Sequence, residues 1–450
     1  MTRDERTADL LARDLRHVWH PFTQQQVWPV DDPLVIDRAE GMYLVASDGR
    51  RYLDGVSSLW VTVHGHAVQE IDDAVRRQLD KVAHSTFLGL THEPAIELAE
   101  QLLATAPAGL NRVFYAGDGS SAVEAALKMA YQSAAQRGED RPLYVHVQHG
   151  YHGDTLGAVS VGGIELFHAT YRPILLETRQ VSSPGERAAG ESAGDRAAAV
   201  VAELDELMAR EGHRVSAVIV EPIVQAAAGM LTHDPEFLRG VRAACDVAGA
   251  LMIADEVATG IGRTGMMWAC EHAGVAPDLL TCGKGLSAGY LPIAAVLATE
   301  AVYESFLGRY DEFRTFFHGH TYTANPLACA AALANLRLMR ERDTLRHARW
   351  VAETLTTLLK PLADEPCVAE VRQAGTMTGI ELAGPDGTAF PSARRTGFDV
   401  AQRARARGVL IRPLGDVVVL MPPLAIGEDD LRLLADATVE SVRAAVTDRG

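Results

Sequence analysis

Two side chains in this sequence have the chemistry and the setting of a reaction centre. Lys284 stands between Gly283 and Gly285 at the end of the run Leu279-Leu280-Thr281-Cys282. Glycines let other groups approach the backbone closely, and small or apolar neighbours leave an ammonium short of water. A lysine so placed gives up its proton more readily and can attack a carbonyl carbon to form a Schiff base. Most lysines are solvated surface charges, so this one needs partners. Asp255 is the first of them: it closes another apolar run, Leu251-Met252-Ile253-Ala254, 29 residues earlier. A carboxylate there is partly desolvated and demands a cation or a proton donor. An aspartate in that place can equally cap a helix or pair with nearby Arg263, and the residue alone does not decide between these roles.

The two fit one chemistry. If a pyridine ring lay between them, Asp255 would keep the ring nitrogen protonated while Lys284 held an aldehyde carbon, which is what pyridoxal 5'-phosphate requires. Its phosphate needs a cradle, and Gly117-Asp118-Gly119-Ser120-Ser121 offers amides and hydroxyls where a helix begins. Taken alone that turn is a weak signal, because glycine and serine cap many helices. Tyr151, in His149-Gly150-Tyr151-His152-Gly153-Asp154, follows another strand and could lay its ring on the cofactor, or simply pack. His152 reads as a hydrogen-bonded histidine, and no metal-ligand spacing occurs.

These residues must be positioned by strands and helices that alternate. From residue 112 the pattern repeats as strand, glycine-rich turn, helix: Arg112 to Ala116, then a helix from Ala122 to Tyr131, then strands Leu143 to Val147, Val215 to Val220 and Leu251 to Ala254. The third of these strands is stopped by Glu221-Pro222, and Asp234-Pro235 opens the helix before the fourth. Continuous apolar strands separated by helices predict an α/β fold with a mostly parallel sheet covered on both faces, its ligands at the carboxyl ends of the strands. Helices are predicted at residues 4–18, 68–83 and 93–106, a hairpin turns at Ser47-Asp48-Gly49, and Asn325-Pro326 opens a long helix to about 341. The polar stretch 179–197 reads as one surface loop or insertion. A smaller α+β domain is expected from the two chain ends, residues 1–60 and 336–450, around a large domain of residues 61–335.

Composition narrows the function. With 42 Lys and Arg against 59 Asp and Glu, the 450 residues carry a net charge of −17, and the scattered basic residues argue against nucleic acid or an anionic membrane surface as partner. Small-molecule chemistry fits better. The five cysteines are far apart and lack a Cys-x-x-Cys pair, so they are expected to be reduced and mostly buried. A charged N-terminus without an apolar core and apolar runs well short of a membrane span predict a cytoplasmic protein.

Taken together, Gly283-Lys284-Gly285, the run Ile253-Ala254-Asp255-Glu256-Val257-Ala258-Thr259-Gly260-Ile261-Gly262-Arg263-Thr264-Gly265, and Gly150-Tyr151-His152-Gly153-Asp154 resemble the class III pyridoxal-phosphate aminotransferases. Within that class the likeness is to the biotin-pathway branch that acts on 8-amino-7-oxononanoate. It extends over nearly the whole chain through Trp19-His20-Pro21, His64-Gly65-His66, Gly89-Leu90-Thr91-His92, Phe317-His318-Gly319-His320-Thr321, Ala324-Asn325-Pro326-Leu327-Ala328-Cys329 and Arg412-Pro413. The resemblance implies the fold type I architecture, with a seven-stranded sheet in the large domain. It implies that Lys284 forms the Schiff base and shuttles a proton, that Asp255 holds the pyridinium, and that Gly119 and Ser120 bind phosphate with Thr321 of the second subunit of a homodimer. Tyr151 and Trp60 would flank cofactor and substrate, Arg412 would take the substrate carboxylate, and Asp154 and Arg263 would pair to shape the site, with Glu221 and Phe22 in support.

The chain departs from the branch's pattern at three places. Phe22 stands where many relatives have tyrosine, Leu59 where enzymes using S-adenosylmethionine have a second tryptophan, and His318-Gly319-His320-Thr321 is closer to the lysine-using form. The amino donor therefore stays open between S-adenosylmethionine, lysine and another amine, and a general ω-amine aminotransferase is the alternative. Two other classes compete. Gly285-Leu286-Ser287-Ala288-Gly289 fits a hydrolase nucleophile elbow, but Tyr290-Leu291-Pro292 leaves no helix to follow it. Gly117-x-Gly119-x-x-Ala122 approximates a dinucleotide fingerprint, yet more than a hundred residues precede it. A non-catalytic protein on the same scaffold is disfavoured because every group the cofactor needs is present.

Overall fold

A computed structural model describes residues 2–384 and 387–447 of the chain. Seven strands form its central sheet: β1 (Leu110–Ala116), β2 (Leu143–Val147), β3 (Thr178–Val181), β4 (Val215–Val220), β5 (Leu251–Asp255), β6 (Leu279–Cys282) and β7 (Ala294–Thr299). Their order across the sheet is β1-β7-β6-β5-β4-β2-β3. Every pairing from β6 to β3 is parallel, and β7 alone runs against both its neighbours. The mostly parallel α/β sheet expected from the continuous apolar strands is the one observed.

The sheet is buried on both faces because its strands present apolar side chains to each side. Val145, Val218, Val220 and Met252 pack with Leu204, Phe237 and Val241 under helices α2 (Ala193–Glu211) and α3 (Pro235–Ala248). Tyr144, Ala217, Ile219 and Ile253 face the other way, onto the alanine-rich helix α1 (Gly119–Gln136). Each fully buried aliphatic side chain of this kind contributes roughly 1.5–3 kcal/mol. Local signals set the helix ends. Asp234 accepts a hydrogen bond from the Glu236 N–H, Pro235 takes the first helical position, and α3 stops at Gly249 in the left-handed region at φ +66°. Asn325 caps the helix Pro326–Glu341 in the same manner.

Residues 179–197 correct the expected loop. Thr178–Val181 is the edge strand β3, parallel to β2, and α2 begins at Ala193 behind a Ser192 cap. An edge strand needs apolar residues on one side only, so Arg179 and Gln180 disguise it, and Arg179 pairs with Glu177 and Glu211. Helix α1 also begins earlier than expected, so that Gly119 and Ser120 lie in its first turn.

The chain ends meet beside this sheet. Arg51–Asp54 pairs in parallel with Val409–Leu410, and a separate antiparallel sheet joins Val368–Ala374, Met377–Leu382, Val417–Leu420 and Arg412–Leu414. The five cysteines are free and buried, and none of the described helices is long and apolar enough to cross a membrane.

Candidate active site

Because β4, β5 and β6 are parallel, their carboxyl ends open at one edge of the sheet. Asp255 ends β5 opposite Thr281 of β6, and Glu221 directly follows Val220 of β4, whose register partner is Ala254. Lys284 lies just beyond β6. Asp255, Glu221 and Lys284, with Trp60, Gly119, Ser120, Tyr151 and His152, line one cavity, a concave cluster of polar groups such as small-molecule sites present.

Asp255 is buried and heavily bonded. Its Oδ1 accepts from the Thr281 hydroxyl at 3.0 Å and the Val257 N–H at 3.1 Å, and its Oδ2 lies 2.7 Å from His152 Nδ1. The histidine is fully enclosed, and its other nitrogen, Nε2, has no partner. Neither the N-cap nor the Arg263 ion pair considered for Asp255 is what holds it. Lys284 is partly buried with φ +43°, a left-handed conformation that costs a non-glycine residue energy. Its Nζ lies 5.3 Å from the centre of the Trp60 ring. Desolvation lowers the pKa of this ammonium, with Asp255 and Glu221 opposing the shift and Arg263 reinforcing it. The amine is thus closer to its neutral, nucleophilic form than a surface lysine.

An anion corner lies across the cavity. Gly119 and Ser120 carry free backbone N–H groups at the N-terminus of α1, where the helix dipole favours negative charge. The approach is close enough that glycine is required: a Cβ on Gly119 would come within 2.7 Å of Val257 Cγ1. Gly153, at φ +120°, leaves no room for a Cβ either, which would lie 1.9 Å from Ser120 Oγ. The Asp154 N–H donates to that same hydroxyl at 3.1 Å. Tyr151 donates its hydroxyl to Asp154 at 3.0 Å, and burial followed by the Asp154 charge pushes its pKa up, so the phenol stays neutral.

Glu221 accepts from the N–H groups of Tyr151 and Ala226, both at 3.0 Å, and burial raises its pKa to about 7. Stability from this group is therefore complete below its ordinary value of 4.5 and is lost as pH rises through about 7. The Glu221→Gln variant cannot ionise, so its Tm relative to wild type is expected to rise between pH 5 and pH 8, by an amount corresponding to at most about 3 kcal/mol. Buried Glu256 shifts the same way and cancels in this comparison. Thermal melts of the two proteins across that range check it, and a constant difference contradicts it.

The other expected residues are distributed differently. Arg263 does not pair with Asp154: it is buried and donates to the Pro422 and Thr62 carbonyls, both at 2.8 Å, because its loop runs beneath residues 57–63. Arg412 and Phe22 lie outside the cavity, in an adjoining open cleft that shares Ala227 with it. Aromatic contacts join the two spaces, Phe22 against Phe167 at 5.3 Å and Phe167 against Tyr151 at 6.3 Å. Thr321 is exposed and lines neither. Ser287, the nucleophile of the hydrolase reading, is buried and donates to the Leu291 carbonyl at 2.6 Å, so no elbow is formed. The bonds from His152 and Thr281 to Asp255 join residues 103 and 26 positions apart, which no local pattern in the sequence signals. Alignment of β5 with β6 by their apolar lengths would have placed Thr281 beside Asp255.

The arrangement of amine, buried carboxylate and anion corner is one that a phosphorylated pyridine aldehyde fits. The family model for class-III aminotransferases matches residues 25–442. The chain belongs to the class III aminotransferases. It is therefore a pyridoxal-phosphate-dependent transaminase. This aminotransferase is 52% identical to the adenosylmethionine-8-amino-7-oxononanoate aminotransferase of Nitratidesulfovibrio vulgaris over 99% of its own length and 83% of that protein. It is 44% identical to the protein of that name from Geobacter sulfurreducens, covering 98% of both chains. The crystal structure of the enzyme of that name from Methanocaldococcus jannaschii superposes with a TM-score of 0.93 at 38% identity, covering 98% of this aminotransferase and 100% of that chain. An (S)-enantioselective ω-transaminase from Thermomicrobium roseum superposes with the same score at 31% identity, over 98% of this chain and 99% of that one.

Proposed function

We propose that this aminotransferase converts 8-amino-7-oxononanoate to 7,8-diaminononanoate in biotin biosynthesis, with S-adenosylmethionine as amino donor and lysine as the second candidate. The amino group leaves the donor, whose amine carbon becomes a carbonyl, and replaces the ketone oxygen at C7 of the acceptor. The observation that carries the reading is the meeting of Lys284 and Asp255 in one cavity, in a chain so similar to proteins bearing that name.

In this reading Gly119 and Ser120 hold the cofactor phosphate, Asp255 the ring nitrogen, Tyr151 the ring face and Lys284 the aldehyde carbon. The bound cofactor supplies an electron sink for the bond broken at the amine-bearing carbon. His152 and Thr281 fix the Asp255 carboxylate so that its charge faces the cavity without reorganisation. Lys284 Nζ would carry the proton between the amine-bearing carbon and the former aldehyde carbon, a task suited to an amine whose pKa is lowered towards working pH. Trp60 closes the cavity above Nζ and keeps bulk water from it. Arg412, in the adjoining cleft, takes the acceptor's carboxylate with its planar fork.

We place Thr321 in the partner's site of a homodimer. The exposure of Thr321 beside Phe317 and Tyr322, 73% and 64% exposed, supports this. The division into a large unit of residues 61–335 and a smaller one from both ends rests on the pairing of Arg51–Asp54 with Val409–Leu410.

The test is direct. Purified protein should be yellow, and borohydride should fix the colour to Lys284; a protein that never takes up pyridoxal phosphate contradicts the reading. Half-reactions with S-adenosylmethionine, lysine and simple diamines decide the donor. The likeness to the ω-transaminase favours the alternative of a general ω-amine enzyme, which stands if 8-amino-7-oxononanoate accepts an amino group from no donor.

A further inference from the structure

The segment that presents Trp60 is the most strained part of the cavity wall. Ser57, Ser58 and Trp60 have φ of +50°, +61° and +67°, positive values that non-glycine residues avoid. Such a run persists only where its surroundings over-determine it. One carboxylate does much of that work. Asp54 is fully buried, and it accepts from the Ser58 N–H at 2.7 Å through Oδ1 and from the Ser58 hydroxyl at 2.9 Å through Oδ2. His66 Nε2 lies 3.0 Å from the same Oδ2.

The gripped segment reaches the lysine and the loops around it. Trp60 lies over Lys284 Nζ. Val61 and Thr62 crowd Gly289 at the far end of the lysine's turn, where an added Cβ would come 3.0 Å from Val61 Cγ2. The Thr62 carbonyl accepts from buried Arg263, and the Ser57 hydroxyl donates to the Met421 carbonyl at 2.7 Å. On the other side Asp54 is aligned with Leu410 in the strand that leads towards Arg412.

We propose that Asp54 is a positioning residue: by gripping the strained turn at Ser58 it sets the Trp60 indole against the Lys284 amine and fixes the wall against which substrate is oriented. The proposal rests on the reading of Lys284 and Trp60 as parts of the active site. Asp54 touches neither substrate nor cofactor, and acts through the backbone it holds.

The test compares Asp54→Ala, which releases the grip, with Asp54→Asn. Asparagine can still accept from the Ser58 N–H and reverse the second bond by donating to the Ser58 oxygen. Acrylamide quenching of Trp60, obtained by subtracting the emission of each protein's Trp60→Phe counterpart, reads the wall without cofactor. Steady-state kinetics with 8-amino-7-oxononanoate reads its consequence. Expected for Asp54→Ala are a Trp60 quenching constant at least twofold higher and a kcat/KM at least tenfold lower at saturating pyridoxal phosphate, with Asp54→Asn within threefold of wild type in both. A folded Asp54→Ala protein with unchanged quenching and kcat/KM overturns the proposal, as does a fall in Tm with no change in either. If Asp54→Ala does not fold, Ser58→Gly, which removes the hydroxyl and the φ constraint together, must raise Trp60 quenching; if it does not, the proposal fails. Inactive wild-type protein would refute the functional reading instead, while the quenching result would still decide whether Asp54 holds Trp60.

Discussion

Replacement of Lys284 by alanine is expected to abolish transamination, lowering kcat by about 10³-fold or more, because no other amine among the described residues lines the cavity to hold an aldehyde or carry the proton. The fold should survive. Lys284 makes no hydrogen bond that a neighbour depends on for burial, and alanine removes a desolvated ammonium, a group whose burial costs free energy. The φ of +43° is as unfavourable for alanine as for lysine, so it does not separate the two proteins in Tm. Two measurements check it: single-turnover rates with an amine donor, and borohydride treatment of the variant, which should leave no cofactor attached to the chain. Ordinary turnover in this variant would remove the lysine from the mechanism.

The second large effect is expected at Asp255. Asparagine is nearly the same size and can still accept from Thr281 and Val257, so Tm should change little. It cannot offer a negative charge to a ring nitrogen. Losing a charge-assisted bond of about 3 kcal/mol corresponds to a fall in kcat of about 10²-fold. The His152 contact sharpens the comparison, because an Asp255→Asn side chain can reorient to satisfy the imidazole and leave the wrong group facing the cavity. Equal kcat in the two proteins would mean that the carboxylate does not control the ring. Steady-state kinetics beside a thermal melt separates that result from misfolding.

Much of this site was legible because the chemistry depends on strand ends. An apolar strand that stops at a carboxylate, as at Asp255, and another that stops before a glycine-flanked lysine are visible as breaks in hydrophobicity, and a parallel sheet brings such breaks to one edge. The same logic placed Gly119 and Ser120 at the head of α1. What stayed hidden depends on tertiary direction. Spacing cannot reveal that the Arg263 guanidinium turns towards the Thr62 and Pro422 carbonyls, since both partners are distant in the chain. The edge strand within 179–197 was obscured by its own polarity, which a strand with one open side tolerates. Asp54 was overlooked because it lies in a strand that pairs with residues more than 350 positions later, and its value comes from the turn it grips.

The one reversed strand of the sheet has a consequence for Lys284. Since β7 runs opposite to β6, with Cys282 aligned to Ala295, the chain leaves the sheet at Cys282 and re-enters beside it at Ala294. Everything between, Gly283 to Ile293, is a closed loop anchored at adjacent points, with Asn335 donating to the Gly285 and Leu286 carbonyls at 2.9 Å from beneath. A parallel return would have needed a long crossover and left the second anchor at the far edge of the sheet. Short closure leaves little chain entropy to lose and little room for drift. The lysine therefore stands on a fixed mounting, and its travel between the atoms it serves is confined to the rotations of its own four-carbon arm.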